Sequence, residues 1–128
     1  MSEGKGFAKK PIYEVATSVA ANVFVYPTAD NRVATCGSNG KAVGISMEAV
    51  DGSSTVKTID VATVGEVGKL KLNETVTIGK LLTSTSAGYG EAADAAGEFV
   101  GAIALQGGDQ NDIIEVLIVA MHAHASDA

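Results

Sequence analysis

Apolar residues recur along the chain in short β-branched runs bounded by Gly, Asn and Asp. No segment sustains a 3.6-residue apolar period over three turns with a clean polar face. The pattern predicts an all-β domain with strands over 13–17, 22–26, 32–36, 42–47, 55–62, 67–72, 75–82, 99–105 and 113–121. The apolar members of those runs form the expected core: Val23, Val25, Val33, Val43, Ile45, Val56, Ile59, Val61, Leu70, Leu72, Ile78, Val100, Ile103, Ile114, Val116 and Ile118. Lys69-Leu70-Lys71-Leu72 alternates as a strand with one wet face, and its lysines discourage stray edge pairing.

Turn chemistry punctuates these runs. Asn39-Gly40 lies between two β-branched runs and suits a type I′ hairpin, whose two central residues need positive φ. Asp51-Gly52 and Gly107-Gly108-Asp109 mark further turns. Glu91-Ala92-Ala93-Asp94-Ala95-Ala96 favours helix by composition, but it is confined between Gly90 and Gly97. A turn or a single helical turn is expected there.

One pattern repeats. Gly40-Lys41-Ala42-Val43-Gly44-Ile45 is echoed by Gly97-Glu98-Phe99-Val100-Gly101-Ala102, and Ile59-Asp60-Val61 by Ile114-Glu115-Val116. Two related β units packed together would produce this, as would coincidence in a chain rich in Gly and Val. In either case Gly44 and Gly101, each inside a strand pattern, point to a bulge or a close backbone approach.

Composition narrows the class. The length of 128 residues suits one domain of ordinary size. With no Trp, three Phe and three Tyr, stacking platforms for single-stranded nucleic acid are hard to assemble. The net charge is −6, and residues 1–10 carry three Lys against one Glu, so a +2 leader precedes a body of −8 that repels phosphate backbones. The longest apolar stretch, 113–121, is too short for a membrane helix. Residues 1–10 lack the apolar segment of a secretory signal, so a soluble chain made in the cytoplasm, with no membrane or nucleic-acid partner, is expected. Cys36 is a lone cysteine, read as a small buried hydrophobe.

No nucleophile and base, carboxylate pair or cofactor loop stands at a productive spacing. Gly88-Tyr89-Gly90 lacks the third glycine and the βαβ setting of a dinucleotide fingerprint. The expectation is a binding protein, with no enzyme activity and no cofactor. His122-Ala123-His124 would place two imidazoles on one face if the last strand ran on, but two ligands are not a metal site, and a polar chain end accounts for them. In residues 1–12, glycines and lysines surround Phe7 just ahead of Pro11-Ile12-Tyr13. This leader is either a disordered solubilising segment or an arm that orders on a partner, with Phe7 and Ile12 as apolar anchors and Lys9 and Lys10 meeting acidic groups. The division is thus an arm over 1–12, a single β domain over 13–121 and a tail over 122–128.

The order of an extended leader, Val23-Phe24-Val25, the Gly40 to Ile45 motif, and a second unit with Thr77-Ile78-Gly79-Lys80-Leu81-Leu82 and the Gly97 to Ala102 motif resembles the capsid-cement, or head-decoration, proteins of tailed bacteriophages. The resemblance spans most of 13–120. It implies a small β-barrel or β-sandwich, tulip-like and related in shape to the lambda head-stabilising type. It further implies a homotrimer, with a dimer as runner-up, bound to major capsid protein on the outer surface of the expanded virion head. The family has no catalytic residues to transfer, and its capsid contacts are diffuse. The region carried over is therefore the arm and its junction: Phe7, Lys9, Lys10, Pro11, Ile12 and Tyr13. A carbohydrate- or receptor-binding β module displayed on a virion or cell is the rival reading, and the scarcity of aromatic sugar platforms counts against it.

Overall fold

Eleven strands form among the described residues, 12–52 and 57–123 of a computed structural model, and no helix is present in them. In chain order they are β1 (Tyr13–Val15), β2 (Phe24–Ala29), β3 (Arg32–Thr35), β4 (Gly44–Ser46), β5 (Lys57–Ile59), β6 (Val61–Thr63), β7 (Val67–Lys71), β8 (Leu81–Ser84), β9 (Gly90–Ala92), β10 (Phe99–Ala104) and β11 (Ile113–His122). The first six make one sheet in the order β5-β1-β3-β2-β4-β6, and the last five a second sheet in the order β7-β11-β10-β8-β9. The all-β expectation holds.

The first sheet curls on itself. Its two edge strands, β5 and β6, are separated by Asp60 alone, so one bent segment pairs with β1 through its first half and with β4 through its second. The expected single strand over 55–62 is therefore two strands on opposite edges, and Val56 lies outside the described residues. In the second sheet the ten-residue β11 does the same work without a break: its first half pairs β7 and its second half pairs β10.

This likeness extends through the described residues. The antiparallel pairs β1-β5, β2-β3, β2-β4 and β4-β6 are matched by β7-β11, β8-β9, β8-β10 and β10-β11. The parallel contact Glu14↔Arg32 is matched by the parallel bridge Leu72↔Gly90, and the loop bridge Val19↔Val50 by Val76↔Gly108. Left-handed backbone recurs at Asn22 and Gly79 and at Asn31 and Gly88, two pairs each 57 residues apart (22 to 79, 31 to 88). Gly44 and Gly101 share that spacing (44 to 101). The echo of Gly40 to Ile45 in Gly97 to Ala102 thus reflects two related β units, whereas Ile59-Asp60-Val61 and Ile114-Glu115-Val116, 55 residues apart (59 to 114), do not occupy equivalent positions.

Each unit has its own aliphatic interior. The first is lined by Val15, Val19, Val23, Val25, Val33, Ile59 and Val61. The second is filled by Leu70, Leu72, Val76, Leu82, Ile114 and Val116, in one cluster with Phe24, Ile45 and Ala62 from the outer side of the first sheet. Those last three join the units. A Cβ on Gly101 would stand 2.7 Å from Phe24 Cε1, so only glycine lets the ring sit there, and the β10 ladder slips register at that residue. Gly44 meets the same constraint against the Ala62 carbonyl and Val61, so both glycines mark close approaches as expected. Backbone bonds then tie the units, with Phe24 N–H donating to Gly88 O at 2.8 Å and Lys71 N–H to Asn22 O at 2.9 Å.

Several local expectations are overturned. β3 and β4 are not neighbours, because β2 lies between them. Of Asn39 and Gly40 only Asn39 has positive φ, so the pair makes a turn but no type I′ hairpin. The 75–82 run is strand only from Leu81, since Gly79 turns the chain at φ 86°, and Ile78 is 71% exposed and outside the core. The Glu91 segment opens as β9, where pairing with β8 outweighs helix propensity. Pro27 is tolerated in β2 because it lies beyond the β4 pairing and at a register shift against β3. Cys36 is fully buried just past β3, and burial pushes its thiol pKa up.

Phe24→Ala should cost about 3–5 kcal/mol, because it empties the junction of its largest buried ring. Gly101→Val should cost about 1–3 kcal/mol by forcing that ring aside. Urea unfolding with an unchanged slope would read both losses, and a cost under about 1 kcal/mol for Phe24→Ala would contradict the junction's role.

Candidate functional site

Tyr13, the last of the predicted contact residues, opens β1, a three-residue strand held between β3 and β5. Tyr13 pairs with Ile59 and packs, half-buried, against the first valine cluster, so it serves the fold. Ile12 is 74% exposed, and continuing the strand register places it opposite Asp60. Glu14 N–H donates to Asn31 O at 2.7 Å, and its carboxylate stands 4.0 Å from Arg32 Nε, which holds β1 beside the β2-β3 turn. Phe7, Lys9, Lys10 and Pro11 lie outside the described residues. Of the six predicted contact residues, the structure thus describes an exposed apolar side chain and the tyrosine behind it.

Sequence reasoning missed a second surface. On the outer face of the second sheet, cross-strand partners Val67, Leu117, Ile103 and Leu81 form one apolar row across β7, β11, β10 and β8. Val67 is 56% exposed, and Leu117, Ile103 and Leu81 are partly exposed. Leu105, 41% exposed, extends the row at the end of β10. The signal is visible in β11, whose outward positions are Ile113, Glu115, Leu117, Val119 and Met121. A strand with one wet face would alternate, whereas near-continuous apolar sequence is the mark of burial on both faces. The adjoining cleft between the units, about 230 Å³ and lined by Ile45, Met47, Ala62, Val67 and Gly68 with Lys69 and Glu115 at its rim, is smaller than a drug-sized ligand site.

Among the described residues, no three His, Cys, Asp or Glu side chains are placed to hold a metal ion. The last strand does run on through His122, but its Nδ1 lies 3.3 Å from Gly97 O and its ring meets Phe99 edge-on at 5.8 Å, which makes it part of the local packing. His124 lies outside the described residues. Charge gathers instead around β9. Partial burial first, and then repulsion from Glu74, Glu98 and Asp94, push the Glu91 carboxyl above the usual glutamate range. Lys80 offsets part of this through a 3.2 Å ion pair with Asp94.

No protein-family model matches the chain, and no curated protein matches it in sequence. Among solved structures, its fold is similar to the N base of the head fiber gp8.5 of bacteriophage phi29, with a TM-score of 0.68 at 13% identity. The match covers 84% of this chain and 90% of that one. At that identity the likeness is one of fold.

Because the folded state raises the Glu91 pKa, just above the usual glutamate range the folded chain holds a proton that the unfolded chain has lost. Stability from this group therefore falls as pH rises through that window. Glu91→Gln should raise Tm at pH 7, with the gain fading as pH drops below the usual glutamate range. A gain that is absent at pH 7, or that does not depend on pH, would contradict the assignment.

Proposed function

We propose that this chain is a structural protein of a bacteriophage head, one that decorates the outer surface of the expanded capsid as a homo-oligomer and stabilises it by binding major capsid subunits. The observation that carries the reading is the fold shared with the phi29 head-fiber base over most of both chains. The charge layout supports it: a −8 body with a +2 leader suits a rigid module that meets its support through a basic arm. On this reading Ile12 and Phe7 enter an apolar gap on the capsid, Lys9 and Lys10 meet acidic groups, and Tyr13 with Pro11 sets the direction of the arm. Pro11 cannot donate a ladder hydrogen bond, so any strand the arm adds to a neighbouring sheet breaks there. The protein acts by occupancy and not by turnover, because a ligand that binds only the assembled lattice deepens that state.

Mixing the purified protein with expanded heads assembled without it tests this. The protein should co-sediment to saturation, more weakly as salt rises, and saturated heads should outlast bare ones under heat or chelator. Removing residues 1–10 should leave a folded protein with severely reduced occupancy, and the Lys9→Glu, Lys10→Glu double variant should lose most at low salt. Equal survival of bare and saturated heads would contradict the cement role, and unchanged occupancy of the truncated protein would move the contact from the arm to the β body.

A further inference from the structure

The two units bury their sheets unequally, and the repeat makes the difference interpretable. Phe24, Ile45 and Ala62 pair across β2, β4 and β6 as one row on the outer side of the first sheet, at 1%, 0% and 2% exposure. That row is covered by the second unit, where Gly101 lies against Phe24 and a Cβ on Gly68 would touch Ala62 at 3.4 Å. Leu81 stands 57 residues after Phe24 (24 to 81), and its cross-strand partners Ile103 on β10 and Leu117 on β11 continue the corresponding row, displaced from Ala102 and Val119 at the repeat spacing because β10 slips register at Gly101. They keep large aliphatic side chains there, extended by Val67; Leu81 packs on one side against the small buried cluster of Ala93, Val100 and Ala123, but among the described residues no third unit covers the row, and all four side chains reach solvent.

We infer that this row is a contact surface between copies of this chain. The corresponding row of the first unit is buried against a unit of the same fold, which is direct precedent within the molecule for what fits it. The row itself carries no charge. Its rim is a cross-strand pair of opposite signs, Lys69 on β7 facing Glu115 on β11, so a second copy can present a complementary rim, whereas the basic arm is matched to an acidic partner of another kind. An exposed apolar band on an acidic monomer is also a liability that closed symmetric assembly removes. The inference deepens the homo-oligomer part of the proposed function, and rests on that reading only for the expectation of a closed assembly.

Sedimentation velocity of the full chain over a concentration series tests it, with Leu117→Lys and the more exposed Val67→Glu as variants and Tyr26→Lys on the first sheet as a control. The wild type and the control should associate. Both row variants should weaken association at least tenfold while keeping the wild-type circular dichroism and, for Val67→Glu, the wild-type Tm. A wild type that stays monomeric at high micromolar concentration, or row variants that associate as before, would overturn the inference. The same variants, added to heads, separate this from the broader reading. Association intact with head binding lost would make the row a capsid contact and overturn the inference while leaving decoration standing. Association lost as expected, with no wild-type binding to heads at all, would support the inference and contradict decoration.

Discussion

The seat of Phe24 on Gly101 is the contact on which the rest of this structure depends. The first sheet has apolar side chains on both faces: a valine cluster inside its curl, and Phe24, Ile45 and Ala62 outside. Such a sheet is not stable with either face in water, since burying each large side chain contributes about 1.5–3 kcal/mol. The second unit supplies the missing cover, and it can approach only because residue 101 has no side chain. A substitution at either partner therefore affects a whole face of the fold and not one local pocket. The second unit covers its own interior and the first unit's outer face at once, so among the described residues much of its own outer face keeps apolar positions that reach solvent.

The repeat was only half legible in the sequence: glycine at a tight approach cannot be replaced, so Gly44 and Gly101 keep their spacing, but so short a match is equally compatible with coincidence, and it is the shared pairing order and the left-handed pairs Asn22/Gly79 and Asn31/Gly88 that decide it. The aliphatic interiors were legible for the same reason that strands are: alternation survives wherever one face is buried, as in β7 with Lys69 out and Leu70 in. Pairing order was not legible. Asn39-Gly40 has the chemistry of a hairpin, yet β2 intervenes between its flanking strands, a choice made by contacts distant in sequence. Ile78 was misplaced because Gly79 was read as a strand residue when its φ of 86° ends the extended run. β9 was missed because alanine and glutamate favour helix until a neighbouring strand offers its ladder.

Candidate contact residues divided along the same line. Tyr13 packs on the first valine cluster while Ile12 is exposed, so the two neighbours differ in a way their hydrophobicity alone does not tell. In the outer row of the second sheet, Ile103 passes for a core residue but is partly exposed, and only the ladder reveals that it shares the outward face with Leu81, Leu117 and Val67.

The central physical claim is that two repeats form one cooperative body through the junction at Phe24. Native-state hydrogen exchange measures this most directly, because it reports the opening free energy strand by strand. The amides of Phe24 and Lys71, which donate across the junction to Gly88 and Asn22, should exchange with the same opening free energy as the best-protected amides of β10 and β11 and respond to urea in parallel. If the first-unit amides instead open at a free energy several kcal/mol lower while β10 and β11 remain protected, the units are separable and the Phe24 junction does not make them one body.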